Sequence, residues 1–309
     1  GLGLPEKKYY TEEDKHKDIV AGYKKYLADL LRLTSDKYLT HKIKVSTETY
    51  AEEIYKLEKS LAKNTLDNEQ KRDVHLTYNK YKISEINSKL GLKTFDLAQL
   101  VKNIGLTTET VIVDHPEFYQ HLDKVISNSS NEMIMKEYFM VRLMSSMASY
   151  LEPEFEQLRF NFYGKMLSGQ KEMKPRWQRV VHTLNSQLGE VIGKQYVKKY
   201  FPSQSKVDVL KMVNQFKDEL KEIITNAAWM TKSTKRKALV KLEKMRCKIG
   251  YPDKWRDYSK LNLKYDTYVD NMLRCNNFDF EYDINKIDEP VDRDEWHMLP
   301  QTINAYFAP

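Results

Sequence analysis

Apolar residues recur every three or four positions along most of this chain, the spacing of one face of an α-helix. Between Glu12 and Leu33 they are Ile19, Tyr23, Tyr26, Leu27, Leu30 and Leu33. A second stripe, Tyr50, Ile54, Leu57 and Leu61, follows Ser46 and Thr47, either of which suits a helix N-cap. Shorter helical pieces are expected around Ile83 to Leu90 and Phe95 to Ile104, and another begins near Pro116. From Asn131 to Leu167 methionine and aromatic residues lie all round the expected helix, which Pro153 kinks or splits. Further helices are predicted over Trp177 to Tyr200, Lys206 to Trp229 and Lys232 to Lys248, with Pro202 and Gly250-Tyr251-Pro252 as stops.

Beyond Trp255 the pattern changes to one short helix and an acidic, irregular run. Asp279, Glu281, Asp283, Asp288, Glu289, Asp292, Asp294 and Glu295 face only Lys286 and Arg293 as bases. A domain boundary is expected there, giving a helical domain over 1–288 and a linker with the start of a second domain over 289–309. Alternation then replaces the helical period in "TINAYF", where Ile303, Ala305 and Phe307 share one side of an expected strand. Such a strand needs a sheet to join, and both ends of the sequence read as cuts through a longer polypeptide.

Composition narrows the functional classes. With 41% hydrophobic and 31% charged residues the chain can build a folded core. Only 10 of 309 residues are glycine, and neither GxxxxGK[ST] nor GxGxxG occurs, which disfavours a nucleotide enzyme. The net charge of +7 concentrates in "TKSTKRKALVKLEKMRCK", residues 231–248. That run lacks interleaved base-stacking aromatics and reads as a solvated helix face, so no nucleic-acid partner is expected. No apolar run is long enough to span a membrane. Cys247 and Cys275 make no CxxC and are read as two separate thiols. The histidines His16, His41, His75, His115, His121, His182 and His297 include no HExxH pair, so no residue here is assigned to a metal. The residues contain no complete catalytic constellation.

Four stretches nevertheless carry a resemblance, and they occur in order across essentially the whole chain. "GLGLPEKKYY" is similar to LGLP-x-x-x-YY. "FNFYGKMLSGQKEMKPRWQRVV" is followed by "LGEVIGKQYVKKYFP", with Arg176-Trp177, Tyr196-Val197 and Tyr200-Phe201. "WMTKSTKRKALVKLEKMRCKIGYPDKW" supplies Trp229-Met230, Thr234, Ala238, Lys241 and Ile249-Gly250-Tyr251-Pro252. "VDRDEWHMLPQTINAYFAP" is similar to a stretch ending V-N-A-(Y/F)-Y, with Ile303 for Val and Phe307 for the second aromatic. Together they resemble the neprilysin family of zinc metallopeptidases, which includes endothelin-converting enzyme and bacterial oligopeptidases. The wording of "FYGKMLSGQKEMKPRW" is closer to bacterial members, and two cysteines suit that better than the disulfide-rich extracellular animal members.

The resemblance implies a mainly α fold: a multi-helix covering domain, then the first β-strand of a thermolysin-like α+β catalytic domain. It implies an endopeptidase of short peptides, with this chain forming part of the chamber wall. Asn304 and Ala305 are then substrate-binding residues on an edge strand. There a carboxamide can bracket a peptide amide, and a small side chain leaves room for the peptide. From the residues alone, an ordinary turn or edge asparagine beside a filler alanine is the favoured reading, and it is the family motif that turns the balance toward substrate binding. Zinc is implied in the intact enzyme, held by HExxH and ExxxD motifs that follow this stretch in the family, so this chain alone is expected to bind none and to be inactive. The implied partners are peptide substrates and a missing C-terminal catalytic segment, and a periplasmic or exported setting is favoured over a cytoplasmic one. Asn128-Ser129-Ser130 is a glycosylation sequon that matters only in a eukaryotic secretory setting. The reading from a different class is a non-catalytic helical binding or scaffold module.

Overall fold

The computed structural model describes residues 2–39, 46–128 and 131–307. His41, and Ser129 and Ser130 of the sequon, lie outside them. In chain order the helices are α1 (Lys8–Thr11), α2 (Lys17–Tyr38), α3 (Thr47–Lys63), α4 (Val74–Thr77), α5 (Ile86–Leu90), α6 (Leu97–Asn103), α7 (Pro116–Ser127), α8 (Glu132–Met147) and α9 (Pro153–Arg159). They continue as α10 (Arg176–Gln187), α11 (Gly189–Tyr200), α12 (Ser203–Asn226), α13 (Lys232–Lys244) and α14 (Tyr268–Ile284). Strands β1 (Asn79–Lys82) and β2 (Thr110–Val113) pair antiparallel, Asn79 opposite Val113 and Lys82 opposite Thr110. The fold is mainly α, as the periodicity predicts. The chain forms two compact units, 1–173 with 263–289, and 174–262 with 290–309.

The first unit is organised by α2 and α3. Ser46 caps α3 by accepting a hydrogen bond from the Thr49 amide at 3.2 Å. All four residues of the α3 stripe are buried, as are Tyr23, Tyr26, Leu27 and Leu30 of α2. The two faces meet α8, Phe155 of α9 and Phe162 in one core. Pro153 is the first residue of α9, where its missing N–H costs nothing. From Phe160 to Leu167 the helix widens to π geometry. A smaller core under the β1–β2 ladder gathers Ile86, Leu90, Leu97, Val101 and Val113.

Glu58 stands on the α3 stripe itself and is wholly buried. Its carboxylate accepts from the Gly3 amide, the Tyr10 hydroxyl and the Tyr23 hydroxyl, each at 2.8 Å, with the Arg142 guanidinium at 4.0 Å. Tyr10 in turn accepts the Leu4 amide at 2.8 Å. The "LGLP…YY" motif is therefore structural: Gly3, Leu4 and Tyr10 are the residues that tie the segment before α2 into the core. Asp123 on α7 plays a similar part, its Oδ1 accepting the amides of Lys93, Thr94 and Phe95 at 3.1, 2.7 and 2.6 Å.

Three features differ from the periodic reading. The expected helix over Trp177 to Tyr200 breaks at Leu188 (φ −127°, ψ 32°), and α11 starts afresh at Gly189. The short helix expected beyond Trp255 is the full α14, which runs through Asp279, Glu281 and Asp283. Thr267 caps it by accepting from Asp270, and Arg274 donates to Asp266 at 2.8 Å, which holds the preceding turn. The β1–β2 ladder has no counterpart in the periodic reading: "TVIV" is a β-branched run, whereas in "NKYK" Tyr81 alone is apolar and packs on the smaller core.

In the second unit α12 and α13 pair through reciprocal lysine caps. Lys235 of α13 donates to the Thr225 carbonyl in the last turn of α12 at 2.7 Å, and Lys217 of α12 donates to the Met245 carbonyl after α13 at 3.1 Å. Part of the basic run thus serves helix ends, while Lys237 and Lys241 are solvent-exposed. Beside its contact face α12 carries a second, exposed apolar stripe of Val209, Met212, Phe216, Leu220 and Ile223.

Candidate substrate-binding segment

The residues leading to Asn304 and Ala305 are held by α10 and α11. Leu299 to Thr302 form a turn closed by the Thr302 amide on the Leu299 carbonyl at 2.9 Å. Inside this turn Gln301 spends both protons of its carboxamide nitrogen, one on Asn185 Oδ1 of α10 at 2.9 Å and one on the Gly189 carbonyl at 3.1 Å. Gly189 and Gly193, one turn apart on α11, are both buried under it. A Cβ at Gly189 would lie 2.4 Å from Leu299 Cδ2, and one at Gly193 would lie 2.9 Å from Gln301 Oε1 and 3.0 Å from Pro300 Cδ. The absence of side chains at these two positions is what lets the turn lie on the helix.

Asn304 and Ala305 project beyond this anchor and are exposed. The Asn304 amide donates to the Thr302 carbonyl at 3.1 Å, and the Ala305 amide to Asn304 Oδ1 at 2.8 Å. Among the described residues the carboxamide nitrogen of Asn304 has no protein acceptor. His297 meets Tyr306 edge-on at 6.2 Å. Residues 302–307 have no ladder partner among the described residues, since the two-stranded sheet is elsewhere in the chain. The local bonds at 304 and 305 occupy backbone groups that a sheet neighbour would otherwise take.

Among the described residues the histidines and cysteines form no second candidate site. Among the described residues no group of three His, Cys, Asp or Glu side chains could hold a metal ion. His121 Nε2 meets Ser60 Oγ at 2.7 Å, and burial followed by the charge of Lys124 pushes its pKa down. His115 Nδ1 lies 3.0 Å from Asp114, and His16 packs on Tyr9. Cys247 and Cys275 are both free thiols, and burial pushes the Cys275 pKa up. Gln301, Asn185, Gly189 and Gly193 were not singled out by sequence reading, although the Gly-x-x-x-Gly spacing in "GEVIG" was a visible sign of close backbone approach.

The family model for the N-terminal part of peptidase family M13 matches residues 1–252. The chain belongs to peptidase family M13. Over its whole length it is 27% identical to an endothelin-converting enzyme homolog of Locusta migratoria, covering 44% of that protein. It is 26% identical to endothelin-converting enzyme 1 of Rattus norvegicus, covering 41%. Among solved structures the Mycobacterium tuberculosis zinc metalloprotease Zmp1, in complex with an inhibitor, superposes with a TM-score of 0.86 at 31% identity, over 100% of this chain and 46% of that one. PepO of Lactobacillus rhamnosis HN001 shares the fold, with a TM-score of 0.83 at 23% identity over 97% of this chain and 46% of that one. This M13 chain therefore spans a little under half the length of the relatives it matches.

Proposed function

We propose that the full-length protein is a zinc-dependent endopeptidase of short peptides, to which this chain contributes helical chamber wall and one substrate-binding edge. Membership of family M13 supports the reaction class. The observation that carries the edge assignment is Asn304: exposed, on an anchored segment, with an unengaged carboxamide donor beside an alanine. An extended peptide laid along residues 303–306 would bond to their main chain, and Asn304 would bracket one of its amides from the side. Its Oδ1 would then exchange the Ala305 amide for a substrate amide. The domain reading that accompanies this is a covering domain to about residue 288 and the catalytic domain from 289 onward. Zinc would belong to the intact enzyme; among the described residues no group of three His, Cys, Asp or Glu side chains could hold it.

Asn304→Ala in the full-length enzyme tests the assignment. One lost bond to a substrate amide is expected to lower kcat/KM roughly ten- to hundredfold, with zinc content and melting temperature unchanged. A loss carried in KM means that the bond serves bound substrate and transition state alike; a loss in kcat means that it tightens during attack. Unchanged kcat/KM removes Asn304 from the site.

A further inference from the structure

We infer that the glycine notch of α11, Gly189 and Gly193, together with the carboxamide of Gln301, sets the position of Asn304 and Ala305 and so acts as a positioning device for peptide substrate. The inference rests on the edge assignment for Asn304 and adds the residues through which that edge is held.

Three observations converge on it. Both glycines lie on one face of α11, and what fills the space of their missing side chains is Leu299, Pro300 and Gln301 rather than another helix. Gln301 is a two-pronged tie: its amide protons reach a side chain on α10 and a main-chain carbonyl at the start of α11, so the turn is fixed to both helices at once. Asn304 follows only three residues later, joined to the turn by its own amide on Thr302. With so short a connection, a shift of the turn moves Asn304 by a comparable distance. Nothing else among the described residues bonds the side chain of Asn304 from outside the segment. The break at Leu188 starts the new helix at Gly189, whose carbonyl accepts from Gln301 on its second lone pair in addition to any bond within the helix.

Chemistry at Gln301 is restrictive. Glutamate has the same size but brings an acceptor where two donors are used, against a carbonyl that can only accept. Methionine has similar bulk and no donor at all. At Gly193 even one methyl group meets the rigid ring of Pro300 at 3.0 Å, so the turn itself must lift.

The test uses the full-length, zinc-loaded enzyme carrying Gly193→Ala, with Gln301→Met as a second variant that adds no bulk should the first fold poorly. Hydrogen exchange of the amides of residues 299–306 is expected to accelerate in both, with zinc content retained. kcat/KM is expected to fall about tenfold, in the same parameter, KM or kcat, as for Asn304→Ala. The decisive measurement is the double mutant with Asn304→Ala. If the notch acts through Asn304, Gly193→Ala or Gln301→Met causes no further loss in that background. Additive losses would mean a merely structural role and overturn the inference, as would unchanged exchange over 299–306. An inert Asn304→Ala single mutant would instead overturn the edge assignment and the positioning role with it. In that case the exchange result, being independent of activity, still reports whether the anchor exists.

Discussion

Replacing Glu58 by alanine should be the most damaging single change in the first unit. The substitution removes the acceptor of three buried donors, the Gly3 amide and the Tyr10 and Tyr23 hydroxyls, and withdraws the negative partner from Arg142. Each orphaned buried donor costs about 1–3 kcal/mol, but the two hydroxyls can turn and Tyr10 still serves the Leu4 amide, so the terms do not add fully. Breaking a buried charged pair from one side typically costs about 3–5 kcal/mol, and we expect about 4 kcal/mol for Glu58→Ala. Glu58→Gln keeps the shape and one accepting oxygen while adding a misplaced donor, and should cost about half as much. Aromatic probes allow the loss to be located. All 4 tryptophans, Trp177, Trp229, Trp255 and Trp296, belong to the second unit, whereas the packed rings Tyr10, Tyr23, Tyr26 and Tyr55 belong to the first. Urea unfolding followed by near-ultraviolet tyrosine dichroism reports the hub, and tryptophan fluorescence reports the other unit. A Glu58→Ala loss below about 1 kcal/mol in the tyrosine transition, or a glutamine variant as damaged as the alanine, would refute the three-donor account.

Other expectations follow from the same kind of geometry. Burial opposes the charge on Asp123, yet three backbone amides hold its pKa below the ordinary value. Because the folded pKa is depressed, its contribution is present above the unfolded value and is lost as pH falls through the aspartate range. Asp123→Ala should therefore cost about 2–3 kcal/mol in melts at neutral pH and much less in strong acid. Burial first, and the neighbouring Glu58 second, push the pKa values of Tyr10 and Tyr23 upward, and Tyr38, which donates to Glu152, is pushed up to about 12. Folding here favours the protonated phenols, so this stabilisation is whole below the ordinary value of 10.0 and is lost as pH rises above it. A phenolate absorbance titration should show one fraction of tyrosines ionising reversibly and the buried set ionising only with unfolding. A single reversible step for all of them would contradict the burial argument.

Helical stripes were the most legible part of the sequence, because burying one side of a long helix leaves a strong period. Tyr50, Ile54, Leu57 and Leu61 are all buried as that period demands. The hub was legible in principle: Glu58, four residues after Ile54 and three before Leu61, puts an acid where the stripe calls for an apolar side chain. An acid there needs buried donors, and those come from Gly3, Tyr10 and Tyr23, far off in sequence. Periodicity gave no warning of the break at Leu188, since apolar spacing continues across it and no proline marks it. The ladder at 79–82 and 110–113 escaped because one of its strands is polar and makes sense only opposite its partner. Asn304 and Ala305 lie at the other extreme. Alternation sets them on an expected strand, but only the family motif marks them as substrate-binding candidates, while the role of Gln301 emerges only in the fold, since its partners are more than a hundred residues away in sequence.

The second stripe of α12 has a practical consequence for anyone preparing this stretch of polypeptide by itself. Phe216 is 65% exposed and Ile223 64%, and Trp229 just beyond the helix is 80% exposed. An apolar band of this kind, left bare in water, favours self-association. Preparations of residues 1–309 alone should scatter light increasingly with concentration and with sulfate, which strengthens apolar burial. Phe216→Lys with Ile223→Glu, one helical face made charged, should restore monodispersity while leaving the α12–α13 lysine caps in place.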